Sequence, residues 1–347
     1  MARVKSPFVG GKVLHWRDRL EDWAKRGTCV PVTWELDASN ACPHNCRLCI
    51  GGFPKSGQML SLDFMKSVIK EIAAMGGKGL IFSGGGEPLT NPDTVAAVEF
   101  ARTVGLKVGF ITNLFKPTDY ESMLKHCQWW RVSVDAVDST TYQYTHGVGP
   151  QHWANVVANI HELIATKRRL SLPCKIGVAY LTDAYTSKYV VEFAALAVKW
   201  GADYAQFRPY HPGPRVQYDT EGFKRQFEIA RKEFGAASTR IVRSEPKYQR
   251  IEAGDVERHY PVCHGHHFAT TICADMGVYL CCHMRGLPQY KLGDLSTQSL
   301  FGVWHSDRRK EIYTHINYAD CPRLCRCDDI NYILEFLAQE PLDLEFL

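Results

Sequence analysis

The sequence has no long apolar run and little net charge, and both absences narrow the class of protein. Its 347 residues carry 41 Lys and Arg against 37 Asp and Glu, a formal charge of +4. No apolar stretch approaches the roughly 18 residues of a membrane-spanning helix, and no long basic block predicts a dedicated nucleic-acid-binding face. The first residues also lack the apolar segment of a signal peptide, so we expect a cytoplasmic protein without a membrane partner.

Thirteen cysteines are the feature of the composition that needs an explanation. In a reducing cytoplasm they would not form a disulfide framework, so metal binding or catalysis is the favoured role. The composition is otherwise that of an ordinary globular protein, with 45% hydrophobic residues and enough length for one large or two modest domains.

The small positive charge is concentrated at the start of the chain. Residues 1–30 hold seven Lys and Arg, including Arg3 and Lys5, against three Asp and Glu. A solvated amphipathic helix around residues 15–24 explains this pattern most simply, and contact with a nucleic acid is the lower-ranked alternative.

From residue 33 onward, short apolar segments alternate with segments of helical periodicity. The apolar segments predict six strands, at 33–37, 79–83, 107–112, 131–135, 175–181 and 204–208. Helices are predicted at 61–75, 91–104, 119–126, 153–166 and 187–200. This alternation implies a parallel sheet with helices outside, open or curled into a barrel, and places functional side chains at the carboxyl ends of the strands.

The alternation stops at the proline-rich segment 209–214, where a helix cannot continue. One more helix is predicted at 221–234, and the short segments beyond it hold seven of the thirteen cysteines. Such a short, irregular region is expected to fold around metal. We therefore predict an N-terminal arm (1–32), a β/α domain (33–209), a connector with a helix (210–258), a metal-binding domain (259–330) and a C-terminal tail (331–347).

Cys42, Cys46 and Cys49 form a C-x3-C-x2-C motif directly after the first predicted strand. Three thiolates so close in sequence can surround one metal centre without long loops. A four-iron cluster held by three cysteines keeps one iron open to an outside ligand. The alternative from spacing alone is a zinc site completed by His44 or by a remote ligand.

Glycines and polar side chains follow the next three predicted strands. The second strand ends in Ser83–Pro88 (SGGGEP), whose glycines let the backbone approach a ligand closely. The third strand ends at Thr112 and Asn113, and the fourth contains Ser133 and Asp135. Each is singly an ordinary cap or turn residue, but four successive strand ends with such groups predict one polar ligand site.

This combination resembles the radical S-adenosylmethionine (radical SAM) superfamily over roughly residues 32–209. The resemblance implies an α/β fold with a partial (β/α)6 TIM-like barrel, a [4Fe-4S] cluster on the three motif cysteines, and S-adenosylmethionine (SAM) on the open iron. It also implies chemistry supplied by the cofactors, in which an electron cleaves SAM and a 5′-deoxyadenosyl radical removes hydrogen from the substrate. The residues that the resemblance places around SAM are Gly85, Gly86, Glu87, Thr112, Asn113, Ser133 and Asp135.

The C-terminal cysteines resemble the auxiliary-cluster extension known as SPASM, or its shortened form, the twitch domain. Cys263, Gly277 and Cys282 have the spacing C-x13-G-x4-C, and the segment 321–327 reads CPRLCRC. The resemblance implies one auxiliary [4Fe-4S] cluster. Its implied ligands are Cys263, Cys282, Cys321 and either Cys325 or Cys327. The alternative is a structural zinc site that uses His264, His266 or His267.

Two further residues are candidates for chemistry. A thiol that no cluster uses, with Cys281 as the candidate, can donate a hydrogen atom to a substrate radical, although packing as a small apolar residue is the simpler role. Arg208, at the sixth strand end, is placed to hold a carboxylate or a phosphate, or to be a structural ion-pair partner.

The sequence says least about the substrate. The compact layout resembles enzymes that act on sugars, aminocyclitols and nucleosides, which implies a small-molecule or nucleoside substrate and an electron donor such as flavodoxin or ferredoxin. Dehydrogenation, epimerisation, decarboxylation and rearrangement all stay open. The alternatives are modification of a nucleotide base in DNA or RNA, modification of a peptide, which the short segment before Cys42 disfavours, and a non-catalytic zinc protein.

Overall fold

We describe the protein from a computed structural model, whose described residues are 10–51 and 56–339. Arg3 and Lys5 of the predicted arm lie outside these residues, as does the part of the predicted tail from 340 to 347. Within the described ranges, no helix is long and apolar enough to cross a membrane.

One large sheet organises the described chain. Its strands are β1 (Thr33–Asp37), β2 (Gly79–Ser83), β3 (Lys107–Thr112), β4 (Cys127–Ser133), β5 (Lys175–Thr182), β6 (Tyr204–Pro209), β7 (Arg240–Arg243), β8 (Ala269–Ile272), β9 (Gly277–Tyr279) and β10 (Lys291–Asp294). They lie in the order β10-β9-β8-β1-β2-β3-β4-β5-β6-β7. Neighbours from β8 through β7 are parallel, whereas β9 pairs antiparallel with both β8 and β10.

Helices alternate with the parallel strands, as the sequence predicts. They are α1 (Arg17–Arg26), α2 (Leu62–Ala74), α3 (Thr94–Thr103), α4 (Tyr120–His126), α5 (Ser139–His146), α6 (Gln151–Arg169), α7 (Val190–Trp200), α8 (Thr220–Phe234), α9 (Glu245–Glu252), α10 (Leu300–Trp304), α11 (Asp307–Thr314) and α12 (Asp328–Ala338). Short 3₁₀ helices occupy Gly10–His15, Pro88–Thr90, Ser187–Tyr189, Gly265–His267, Pro288–Tyr290 and Tyr318–Asp320. The alternation confirms the α/β class.

Helix α2 shows how local sequence sets an element. Ser61 precedes it, and the Ser61 hydroxyl accepts a hydrogen bond from the Phe64 amide at 3.3 Å, which satisfies one of the free amides of the first turn. Its buried side chains recur at helical spacing and belong to the main apolar core: Met65, Val68, Ile69 and Ile72.

The fourth strand begins earlier than its apolar pattern predicts. Strand β4 starts at Cys127 because Cys127 already pairs with Val108 of β3. Further along, Trp130 pairs with Phe110, with ring centroids 4.7 Å apart. Asp135 consequently lies beyond the strand end. Helix α5 follows, and the polar residues of its sequence give no clear apolar periodicity from which it could be predicted.

The predicted connector and metal-binding region both add strands to the sheet of the β/α domain. Strand β8 pairs in parallel with β1, and β7 pairs in parallel with β6. The indole N–H of Trp304, in α10, donates to the carbonyl of Cys29 at 3.1 Å. One apolar core includes side chains from both regions, among them Leu36 and Val278. The cysteine-rich region is therefore packed directly against the first strand.

Candidate active site

A cavity of about 910 Å³ lies inside the sheet and reaches the carboxyl ends of its strands. The predicted site residues on its wall are Cys42, Cys46, Cys49, Gly86, Glu87, Thr112, Asn113, Ser133, Asp135 and Arg208. The C-terminal region contributes Cys282, His283, Arg285 and Arg326 to the same wall. The structure thus brings side chains from distant parts of the chain to one enclosed space.

The cysteine loop after β1 is held by hydrogen bonds from its surroundings. Cys42 and Cys46 are half-buried, and Cys49 is exposed. The side-chain amide of Asn113 donates to the Cys42 sulfur at 3.8 Å, and the Gly51 amide donates to the Cys49 sulfur at 3.3 Å. N–H groups directed at sulfur stabilise thiolates, so this loop is chemically suited to an iron-sulfur cluster.

Glycines let two backbone segments meet beside these cysteines. The amides of Gly86 and Glu87 donate to the carbonyls of Ser39 and Ala41, at 3.0 and 2.8 Å. A Cβ added at Gly86 would lie 2.2 Å from the Ala41 oxygen. Glycine at position 86 therefore lets the two backbones pack directly against each other. This close packing, the glycine cradle, places the glycine loop and the cysteine loop together on the cavity wall.

Glu87 is buried, and its carboxylate organises the ends of β2 and β3. One oxygen accepts from the Thr112 hydroxyl at 2.6 Å and the Leu89 amide at 3.1 Å, while the other accepts from the Asn113 amide at 2.7 Å. Burial raises the pKa of the Glu87 carboxyl to about 7, although these hydrogen bonds act in the opposite direction. Glu87 and Thr112 therefore position the backbone of the site.

Asp135 occupies a conformation that few residues adopt. Its φ is 49°, and one carboxylate oxygen accepts from the Leu181 amide of β5 at 2.7 Å. Burial raises its pKa, opposed by the nearby His146 and Arg208. The strained backbone holds this carboxylate at the cavity wall beyond the half-buried Ser133.

The alternative of a zinc site at the first cysteine motif has one geometric observation in its favour. Ligand atoms of His44, Cys46 and His146 all lie within 4.8 Å of one another. The Nε2 of His146 is, however, 2.9 Å from the Val134 carbonyl, and only its Nδ1 faces Cys46, at 3.3 Å. Cys42 and Cys49 do not belong to this group, so the zinc site would leave two of the three motif cysteines unused.

The C-terminal cysteines gather around Cys325. Its thiol hydrogen bonds with Cys321 and Cys327, and these bonds hold the pKa of Cys325 well below its usual value. The sulfur of Cys263 accepts from the Asn331 side chain at 3.4 Å. Thiols that lie close together are donors of the kind that suit a soft metal centre.

Two of the three histidines considered for a zinc site in the C-terminal region have other partners. His264 Nε2 lies 3.3 Å from a carboxylate oxygen of Glu335, and His267 Nδ1 lies 2.9 Å from an Arg309 nitrogen. Among the described residues, no three-ligand metal group combines these histidines with the C-terminal cysteines.

Cys281 and Cys282 have different surroundings although they are adjacent. Burial raises the pKa of the Cys281 thiol to about 12, and Cys263 is the next contributor. Cys282 lies on the cavity wall, with an Arg326 nitrogen 3.9 Å from its sulfur. The resemblance assigns Cys282 to the cluster, and Cys281 is the candidate for a thiol that no cluster uses. That division stays a prediction, which the iron contents of Cys281→Ala and Cys282→Ala would decide.

An ion-pair network on the cavity wall was not predicted from the sequence. Arg285 donates to Asp37 and Glu35 of β1, each at 2.7 Å, and Arg326 also pairs with Glu35. The Ser83 hydroxyl donates to Glu35 at 3.3 Å. Buried acids on a strand end are a signal that a cation must lie nearby, but the sequence does not say which one.

Comparisons with known proteins agree with the resemblance. A sequence model described as the radical SAM superfamily matches residues 37–175, and one described as SPASM, an iron-sulfur cluster-binding domain, matches residues 263–328.

Curated relatives match only parts of the chain. The AdoMet-dependent heme synthase of Methanosarcina barkeri is 33% identical over 151 residues, 42% of this chain and 41% of that protein. The dTDP-4-amino-4,6-dideoxy-D-glucose ammonia-lyase of Streptomyces venezuelae is 25% identical over 184 residues, 48% of this chain and 38% of that protein. The match therefore spans about two fifths of the length of these relatives.

Solved structures match most of the chain at low identity. SuiB of Streptococcus suis bound to S-adenosylmethionine superposes with a TM-score of 0.67 and 14% identity, covering 87% of this chain and 72% of that one. The anSMEcpe protein with bound AdoMet has a TM-score of 0.60 and 14% identity, covering 89% and 96%. These likenesses show a shared fold, the TIM-like partial barrel with a C-terminal SPASM domain. This chain therefore belongs to the radical SAM superfamily, with a SPASM domain, and is an enzyme that uses SAM and iron-sulfur clusters.

Proposed function

We propose that this enzyme removes a hydrogen atom from a polar small molecule that bears a sugar, nucleoside or amino-acid group, as one step of a biosynthetic pathway. The observation that carries the proposal is the single cavity shared by the cysteine loop, the glycine loop and the C-terminal region. Its volume of about 910 Å³ lies in the range of pockets that enclose small ligands.

In this proposal Cys42, Cys46 and Cys49 hold the SAM-binding [4Fe-4S] cluster. When bound, the reduced cluster and SAM supply a radical that takes hydrogen from an unactivated C–H bond. The backbone of Gly85 and Gly86 contacts SAM beside the cysteine loop. Glu87, Thr112 and Asn113 fix that backbone, and Ser133 and Asp135 offer oxygen atoms to the polar groups of SAM.

The C-terminal region keeps water away from the reacting atoms. Arg285 donates to β1 through its side chain and to the Cys282 carbonyl at 2.8 Å, so it holds this segment against the strand end. A reactive radical needs such a closed space, because contact with other groups would quench it. In the proposal Cys263, Cys282, Cys321 and one of Cys325 and Cys327 hold an auxiliary [4Fe-4S] cluster.

A peptide is the second candidate for the substrate. A similar protein is the PqqA peptide cyclase of Bradyrhizobium diazoefficiens, 35% identical over 86 residues, which are 24% of this chain and 22% of that one. SuiB has also been solved bound to a precursor peptide, SuiA. The flavodoxin or ferredoxin donor and the cytoplasmic location stay predictions.

A polynucleotide substrate has less support from the described part of the arm. In helix α1, Lys25 lies 3.7 Å from Glu21, and Arg26 lies 3.7 Å from Asp22. These exposed pairs offset the positive charge that would attract a nucleic acid. If the arm does bind one, association should be strongly salt-dependent and should be lost when residues 1–30 are deleted.

The substrate class is tested with deuterium. The anaerobically reconstituted enzyme, with SAM and a reductant, is incubated with deuterated sugars, nucleosides and amino acids, and 5′-deoxyadenosine is analysed by mass spectrometry. Label transfer from one of these molecules supports the proposal. Label transfer from peptides alone would replace it with the second candidate.

The metal content tests the remaining alternative. Two cubane clusters require about eight irons per chain with matching labile sulfide. Stoichiometric zinc without sulfide would instead show that both cysteine groups are structural, and would overturn the proposed function.

A further inference from the structure

Two arginines line the interior of the barrel on strands that are separated by a single strand. Arg131 lies on β4 and Arg208 on β6, and both line the cavity. Strand β5 separates them, and Gly177 is its residue in register with Arg131. Because Gly177 has no side chain, the Tyr204 ring of β6 occupies the space beside it, and a Cβ there would lie 1.9 Å from that ring. Sequence reasoning singled out Arg208 but not Arg131.

Neither guanidinium is fully satisfied by the protein. The Nε atoms of Arg131 and Arg208 are buried, and neither has a hydrogen-bond partner among the described residues. Burial lowers the pKa of Arg131 to about 9, and repulsion from Arg208 contributes in the same direction. A buried donor without a partner is destabilising, and more so when it is charged. Two such cations in one cavity are therefore arranged for a ligand that brings negative charge.

Among the described residues, no carboxylate forms an ion pair with Arg131 or Arg208. Asp135 attracts both arginines electrostatically, but its carboxylate is hydrogen bonded to the Leu181 amide at 2.7 Å. By contrast, Arg285 in the same cavity is paired with Asp37 and Glu35. The cavity wall thus contains two arginines that are paired with acids of β1, Arg285 and Arg326, and two without such partners on β4 and β6, Arg131 and Arg208.

We propose that Arg131 and Arg208 together bind an oxyanion of the substrate, a carboxylate or a phosphate. Arg131 precedes Ser133 by two residues on the same face of β4, so it lies about 6.6 Å deeper in the barrel than the strand end. That position is beyond the rim where the glycine loop and the cysteine loop meet. Planar guanidinium groups with several N–H donors match carboxylate and phosphate oxygens, and a pair of them fixes the orientation of the molecule. The inference rests on the proposed function and narrows its substrate class to anionic small molecules.

The test measures binding of simple oxyanions to the reconstituted holoenzyme. Inorganic phosphate and acetate are titrated calorimetrically into SAM-loaded wild type, Arg131→Gln and Arg208→Gln. We expect at least one probe to bind, and each substitution to weaken it by roughly tenfold to a hundredfold. Arg225→Gln is the matched control, because Arg225 is exposed on helix α8 and does not line the cavity, and it should leave probe affinity unchanged.

The carboxylate of SAM is the other source of an oxyanion, and the same proteins distinguish it. SAM affinity should change by less than about threefold in Arg131→Gln and Arg208→Gln. A tenfold loss of SAM affinity with unchanged probe binding would assign the arginines to SAM and overturn the inference. Absence of probe binding to wild type at about 10 mM would also overturn it.

Folding of the variants is checked by their iron content and melting temperature, and Arg131→Lys should restore part of the probe affinity by keeping the charge. Failure of the proposed function is a separate result. It would be seen as absence of 5′-deoxyadenosine when wild type is given SAM and dithionite, whatever the probes do.

Discussion

The two cysteine groups of this chain lie in opposite environments. In the group after β1, Cys49 is exposed and Cys46 half-buried, and glycine backbone surrounds the loop. In the C-terminal group, Cys325 and Cys327 are buried and hydrogen bond with each other. In the proposed assignment, the first arrangement leaves a metal centre open to an outside ligand, whereas the second encloses it. The proposal thus places the same ligand type at a reactive site in one region and in a packed interior in the other.

The largest effect should come from the open group. Cys46→Ala removes one of three cluster ligands and should reduce 5′-deoxyadenosine formation to background, while about four irons stay in the auxiliary site. Chromatographic assay of the nucleoside and iron analysis measure both. Cys174→Ala, at a buried cysteine in the β/α domain, is the control and should retain activity. Reductive SAM cleavage by Cys46→Ala would refute the ligand assignment.

The closed group should behave differently. Cys263→Ala should remove about four irons and lower solubility and melting temperature, because the surrounding segments fold around the metal. Iron analysis and thermal unfolding measure the change. Full iron content in this variant would require another ligand set, with Cys281 as the neighbouring thiol.

The glycine cradle can be tested with a single methyl group. Gly86→Ala places a Cβ 2.2 Å from the Ala41 oxygen, so the two loops must separate. Overpacking of about 1–3 kcal/mol should weaken SAM binding by roughly 5- to 150-fold. Gly213→Ala is the matched control, since a Cβ there meets nothing within 4 Å. Equal SAM affinities in the two variants, by equilibrium dialysis, would show that the cradle does not contact SAM.

The connection between the two regions should affect stability rather than SAM binding. Arg285→Met leaves the carboxylates of Glu35 and Asp37 buried without their partner and should lower the free energy of unfolding by about 3–5 kcal/mol. Lys125→Met, which breaks an exposed pair with Glu121, should cost less than about 1 kcal/mol. Anaerobic urea denaturation compares them. Similar losses would mean that the buried network does not join the regions.

Much of the fold could be predicted from periodicity. The strands β1, β2 and β3 have the predicted bounds, because each is a short apolar segment between turn residues. Helix α5 and strand β7 could not be predicted in the same way. The sequence of α5 is polar, and β7 has only four residues and is stabilised by pairing with β6.

The residues of the candidate site also divide into those that the local sequence predicts and those that it does not. Cys42, Cys46, Cys49 and the glycine loop could be named from spacing, because their chemistry depends on neighbours in the chain. Arg131 and Arg285 could not, since an arginine in a sequence is usually a surface residue, and only burial makes its partners matter.

The sequence by itself determined the superfamily, the α/β class and the cysteine groups, because local spacing and apolar periodicity are properties of short segments. Only the tertiary structure decided that β8 joins the cysteine-rich region to β1, that Arg285 closes the cavity against Glu35 and Asp37, and that Arg131 and Arg208 share one interior. Those features depend on contacts between residues far apart in the chain, which exist only once the sheet has formed. Burying a charge without a partner costs free energy, so the folded protein favours the arrangement in which Arg285 meets both acids.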